Sequence, residues 1–153
     1  MSTILRIFSA LTVWSLAAMP LMCLAQAEAV GYMKTVKGSA WVTTSGQRVP
    51  AQQGTAVLMG SQLKTAAGAS MGVTFKDDTV MSFGPDTELT VDEYLYAPAK
   101  GQLKLATRLD KGTLTYVSGV IAKLKPDAVS VKTPSGIIGV RGTSFMVKVE
   151  DAE

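Results

Sequence analysis

The sequence predicts an all-β domain, on three observations. Glycine occurs 14 times and separates short segments rich in Val, Thr, Leu and aromatic residues, which is the punctuation of many short strands. Several segments alternate apolar and polar residues with a period of two, so that one face can be buried. No segment carries an amphipathic helical stripe of comparable length. The clearest alternation lies in residues 129–149, where Val129, Val131 and Thr133 oppose Ser130 and Lys132, and Phe145, Val147 and Val149 oppose Ser144, Met146 and Lys148. These arms read as a strand pair around a turn region carrying Pro134, Gly136, Gly139 and Gly142. Proline cannot donate to a ladder there, and glycine admits positive φ or close backbone approach.

At the start of the chain, residues 1–27 have Arg6 as their only charge, then an apolar run from Ile7 to Ala25 broken by Pro20, then Ala25, Gln26 and Ala27. That is the anatomy of a secretory signal peptide. The expectation is a leader over 1–27 and one β domain over 28–153, periplasmic or secreted. An uncleaved anchor is the alternative, since the run is nearly long enough to span a bilayer. A lipid-modified Cys23 is disfavoured by the bulky Met22 before it. Cleavage removes Cys23, the only cysteine, and leaves a domain without disulfide or thiolate chemistry. The remaining 126 residues are of a size to bury about two-thirds of their unfolded surface as one domain.

Residues 38–44, with Trp41, open the series of strands. Ser45 and Gly46 turn the chain, and residues 62–65 form the next strand after turns at Gly54 and Gly60. Met71, Val73 and Phe75 then share a face, Lys76, Asp77 and Asp78 form a polar, solvated turn, and Thr79, Met81 and Phe83 share the returning face, giving a hairpin. After a turn at Gly84, Pro85 and Asp86, residues 89–91 resume a strand, and Leu103, Leu105, Thr107 and Leu109 alternate with Gln102, Lys104, Ala106 and Arg108. The one helical candidate is residues 118–125, with Val120, Ile121 and Leu124 on one stripe before Pro126 stops it. Residues 77–80, 111–114 and 141–144 each place a turn residue before Thr and a strand. This weak repetition points to a twisted β-solenoid or roll, with a β-sandwich as the alternative.

The composition excludes most catalytic constellations. There is no His and no Asn, hence neither the commonest general base and metal ligand nor a site for Asn-linked glycosylation. The carboxylate pairs Asp77/Asp78 and Asp92/Glu93 are adjacent in sequence, and adjacent strand residues project to opposite faces and cannot flank one bond. The expectation is a non-enzyme with no cofactor and no metal. Without Arg6 the chain holds 14 basic and 12 acidic residues, interspersed and not interleaved with aromatic platforms, which argues against nucleic acid. The candidate ligand contacts are Trp41, Tyr94, Tyr96 and Arg141; the two tyrosines have a structural alternative, covering a sheet edge or packing beside it. Arg141 has a structural alternative, holding its turn through Asp77, Asp78 or Asp110. Gly142, at the re-entry into the last strand, is expected to be the position most sensitive to an added Cβ.

Taken in order, residues 60–65 (Gly-Ser-Gln-Leu-Lys-Thr), 73–79 (Val-Thr-Phe-Lys-Asp-Asp-Thr), 111–114 (Lys-Gly-Thr-Leu) and 132–145 resemble the successive signatures of the FecR domain. The closing motif is the specific part: Thr133, Pro134, Gly136, Gly139, Val140, Arg141, Gly142, Thr143 and Phe145. The resemblance covers essentially the whole of 28–153 and implies an all-β periplasmic domain. In the founding case that domain belongs to a regulator relaying an iron-siderophore signal from an outer-membrane receptor to a sigma factor. Only about six residues precede the apolar run here, so the expectation is a stand-alone exported form without the cytoplasmic effector segment. Two function classes follow: a binding or scaffolding module that contacts an envelope protein through a sheet edge or loop, with a signalling role, and a binder of peptidoglycan or cell-wall glycan. An iron-responsive regulator lacking its effector segment is the third.

Overall fold

The computed structural model describes residues 27–150, so the leader expectation falls, except for Ala27, outside the described residues. Its centre is the long strand β9 (Gln102–Val117), which every other part of the sheet reaches directly or through one neighbour chain of strands. Before it come β1 (Ala29–Lys37), β2 (Ala40–Thr44), β3 (Gln47–Pro50), β4 (Ala56–Leu58), β5 (Gln62–Thr65), β6 (Ser70–Phe75), β7 (Val80–Phe83) and β8 (Glu88–Ala97). After it come a short helix α1 (Val120–Leu124), β10 (Val129–Thr133), β11 (Gly136–Gly139) and β12 (Ser144–Val149). The all-β expectation holds: 61% of the described chain is strand, and the sheet curls into an open half-barrel.

One edge of β9 is lined by β8 and then β7, the other by β10 and then β12. All these pairings are antiparallel except β10 with β9, which is parallel because the chain crosses over through α1. The strand changes neighbours at Asp110. There β8 pairs Glu88 with Lys111 but Leu89 with Leu109, a bulge that leaves one residue over. Gly112 follows with φ +91°. Gly112, expected as a turn residue before Thr113, instead lets the strand bend and continue into its second half. Likewise the turn region between residues 133 and 144 contains a strand of its own, β11. The two arms of 129–149 do not pair with each other: β10 pairs β11 and β9, and β12 pairs β9.

The expected hairpin forms β6 and β7, with Val73 opposite Met81 and Met71 opposite Phe83. Met71, Val73, Phe75, Met81 and Phe83 are all buried, and one cluster joins them to Leu63, Leu89, Leu105, Leu109, Leu114 and Tyr116. A fully buried side chain of this size contributes about 1.5–3 kcal/mol. In the helical candidate only five residues are α-helix; Ile121 is buried, whereas Leu124 is 61% exposed and leaves the stripe. The repeated turn-then-Thr pattern has a backbone cause, since Asp78, Gly112 and Gly142, each just before Thr, all have positive φ.

Candidate functional site

The closing motif is built around the crossover from β9 to β10. Ser118 holds the loop before β12 at two points: its N–H donates to the Thr143 carbonyl at 2.8 Å and its Oγ to the Gly142 carbonyl at 2.6 Å. Val140 is buried and donates to the Val129 carbonyl. Thr133 Oγ1 donates to the Gly136 carbonyl across the tight connection through Pro134. Phe145 stacks on Tyr116 with centroids 5.0 Å apart. Arg141 pairs with Asp127 at 3.5 Å, in place of the expected Asp77, Asp78 or Asp110, because the crossover brings Asp127 beside it. Both side chains are more than four-fifths exposed, and such a pair contributes about 0–1 kcal/mol. Gly142 has φ +130°, but no atom lies within 4 Å of an added Cβ. Its requirement for glycine is therefore conformational, and the expected close backbone approach is found at Gly112 and Gly119 instead.

The crossover is also tied at its start by Asp77. The polar turn at residues 76–78 is solvated at Asp78, but Asp77 is fully buried. Its carboxylate accepts from Thr79 Oγ1 at 2.7 Å, from the Tyr94 hydroxyl at 3.2 Å and from the Ile121 N–H at 3.2 Å. Its carbonyl accepts from the Val120 N–H. A buried carboxylate needs such a set of donors, and here they come from three separate segments.

These contacts decide the position of the sequence-selected aromatics. A bulge in β8 between Val91 and Glu93 turns Tyr94 and Tyr96 inward, where they pack against the core. Tyr94 is stacked on Phe75 at 5.6 Å and committed to Asp77 through its hydroxyl. The two tyrosines share a concavity of about 560 Å³ with Met59, Leu95 and Lys100. Trp41 lies in a separate one of about 220 Å³, with Arg48 over its ring at 4.1 Å. Arg141 lies in a third, beside Pro126 and Asp127. The structure thus places the four candidates at three sites and does not gather them into one platform. Among the described residues, no group of three or more His, Cys, Asp or Glu is assembled that would hold a metal ion.

Burial lifts the Tyr94 phenol above its ordinary value, with the neighbouring Asp77 charge adding to it, and burial likewise lifts Tyr116. A group whose folded pKa is raised contributes stability that is present below its unfolded value of about 10 and lost as pH rises beyond it. Phenolate absorbance is therefore expected to develop late for these two residues, and Tyr94→Phe is expected to remove the late component belonging to Tyr94.

The sequence expectation of contact through a sheet edge does not say which strand supplies it. Among the described strands β3, β4, β11 and β12 each pair on one side only. Three of them carry the usual protection of an edge: β3 ends in Pro50, β4 has three residues, and β11 is four residues long with glycine at both ends. β12 has six residues, neither Pro nor Gly, and Lys148 as its only charge, with Met146 70% exposed. The Ser118 to Thr143 bond sets the phase of its ladder with β9. Hydrogen-bonded and non-hydrogen-bonded pairs alternate in an antiparallel ladder. Phe145, Val147 and Val149 therefore turn their backbone groups to β9, and Ser144, Met146 and Lys148 turn theirs to the open edge. Beside the end of this edge is a cavity of about 890 Å³, lined by residues 133–138 and 147–150 and by Asp110.

The curled sheet, its clamped closing loop and its open last strand define a small all-β domain. Residues 61–153 match the family model described as FecR protein, and the chain belongs to that family. The match begins at β5 and leaves β1 to β4 outside it, a shorter span than the resemblance implied. Membership makes this a signalling-related, regulator-like domain from a family that is typically envelope-associated. No curated protein and no solved structure matches the chain. No helix among the described residues is long and apolar enough to cross a membrane.

Proposed function

We propose that the chain is an exported, non-catalytic binding and scaffolding module of the periplasm, freed of residues 1–27, that acts in signalling by taking an extended protein strand along β12. The observation that carries this reading is the β12 edge, guarded by Lys148 alone, with the backbone groups of Ser144, Met146 and Lys148 turned outward beside an open cavity. An added strand would satisfy those groups and extend the row of Phe145, Val147 and Val149, which is the logic of β-augmentation. The antiparallel ladders on both halves of β9 support a twisted roll as the finer description of the fold. The glycan-binding alternative is less well supported, since Arg48 covers one face of Trp41 and the Tyr94 hydroxyl is engaged by Asp77.

The test is capture of proteins from envelope extract by the wild-type chain and by Met146→Pro, with sedimentation on purified peptidoglycan in parallel. The Met146 N–H points away from β9, so proline there removes an outward donor and spares the internal ladder. A captured protein lost in Met146→Pro supports the edge reading. Binding to peptidoglycan that is lost in Trp41→Ala, with no protein capture, would move the assignment to the glycan class.

A further inference from the structure

Resting on that reading of the edge, we infer that the strand taken up by β12 is the β12 of a second copy of this chain, joined antiparallel about a two-fold axis through Val147. The inference comes from which registers the strand allows with itself. Side chains directly opposite must lie on the same face of the extended sheet, so a two-fold axis must pass through a residue. An axis at Lys148 sets two lysines directly opposite, which is destabilising. An axis at Val149 leaves Ser144, Phe145, Met146 and Val147 opposite positions beyond the described residues, and one at Met146 pairs Glu150 with the loop residue Gly142.

The axis at Val147 uses the whole strand. Val147 meets Val147 of the second copy and Phe145 meets Val149, so the half-buried row of one sheet continues into the other with aromatic and β-branched pairs. On the outer face Met146 meets the Lys148 stem and Ser144 meets Glu150, with no like charges opposed. The outward backbone groups fall in phase as well, because Met146 opposite Lys148 and Ser144 opposite Glu150 become the hydrogen-bonded pairs. Beyond Glu150 the second copy's chain leaves the ladder into its own closing loop of Thr143, Gly142 and Arg141. Beside this same end of β12 lies the cavity whose rim holds the carboxylates of Asp110 and Glu150. These now face Arg108 and Lys148. Arg141 is more than four-fifths exposed and only loosely held by Asp127, so its charge is available to complement them.

The experiment is sedimentation of the full chain in a Cys23→Ser background, followed by oxidation of single-cysteine variants. A concentration-dependent dimer is expected, weakened about tenfold or more in Met146→Pro through the loss of outward hydrogen bonds. Val147→Cys, on the axis, is expected to form a covalent dimer by itself. Met146→Cys and Lys148→Cys are expected to crosslink when mixed and not singly, since opposed Cα atoms in an antiparallel pair lie within disulfide reach. A chain that is monomeric at every concentration, or a dimer indifferent to Met146→Pro, overturns the second-copy assignment. If that monomer still captures a strand in a Met146→Pro-sensitive way, the edge reading stands and only the identity of its occupant is wrong. Oxidation of Met146→Cys alone, faster than that of Val147→Cys, overturns the register.

Discussion

Gly119→Ala and Gly112→Ala are expected to destabilise the protein by about 3–5 kcal/mol each, a large part of a typical domain stability of about 5–15 kcal/mol. At Gly119 a Cβ would lie 2.3 Å from the Asp77 carbonyl oxygen and from the Thr79 nitrogen, both backbone atoms that cannot swing aside. At Gly112 two effects add: φ is +91°, and the Cβ would lie 2.4 Å from the Thr87 Cα. Thr87 is itself fixed, since its Oγ1 accepts from the Thr113 N–H and donates to the Gly84 carbonyl. Gly46 and Gly142 also have positive φ, but a Cβ at either meets nothing within 4 Å. Their alanine variants are expected to lose only the conformational part, about 1–2 kcal/mol. Chemical denaturation of the four variants orders them, and equal small losses throughout would show that the two close approaches are tolerated by movement of the turn.

Asp77→Ala is expected to cost about 3–5 kcal/mol. It leaves the Tyr94 hydroxyl, the Thr79 hydroxyl and the Ile121 N–H without their acceptor, and each donor left buried and unpaired costs about 1–3 kcal/mol. Asp77→Asn keeps the shape and one acceptor oxygen, so a loss of about 1–3 kcal/mol is expected. The loss should spread beyond the turn, because Asp77 holds the start of the crossover and the crossover holds the loop before β12 through Ser118. Tyr94→Phe removes one of the three donors but also the acceptor of the Asp77 N–H, so a loss of about 1–3 kcal/mol is expected, below that of Asp77→Ala. A near-neutral Asp77→Ala would mean that water replaces the carboxylate and that the crossover is held by packing alone.

The parts of this fold that rest on local patterning could be read from the chain. The β6–β7 hairpin is an example, because the alternation of Met71, Val73 and Phe75 with polar neighbours directly reflects which side faces the core. The closing motif could also be recognised residue by residue. What escaped depends on distant partners. A glycine at 112 carries the same local signal in a turn as in a bent strand, and only the neighbours on both edges of β9 keep the strand going through it. Asp77 looks like a solvated turn residue until Tyr94, 17 positions on, and Ile121, 44 positions on, converge on it. The bond between Thr79 and Asp77, two residues apart, is the one local hint of that role. Arg141 found Asp127 for the same reason that β12 found β9: the parallel return through α1 decides who is adjacent, and no alternation in residues 129–149 encodes it.

Amide hydrogen exchange along β12 tests most directly whether this strand offers its outer backbone groups to another strand. In dilute protein the Met146 and Lys148 amides, turned to the open edge, should exchange fast, while Val147 and Val149, bonded to β9, should be protected. Raising the protein concentration, or adding a captured partner, should slow Met146 and Lys148 and leave Val147 and Val149 as they were. Exchange at Met146 and Lys148 that stays fast under every binding condition would contradict the account and return β12 to an ordinary solvated edge.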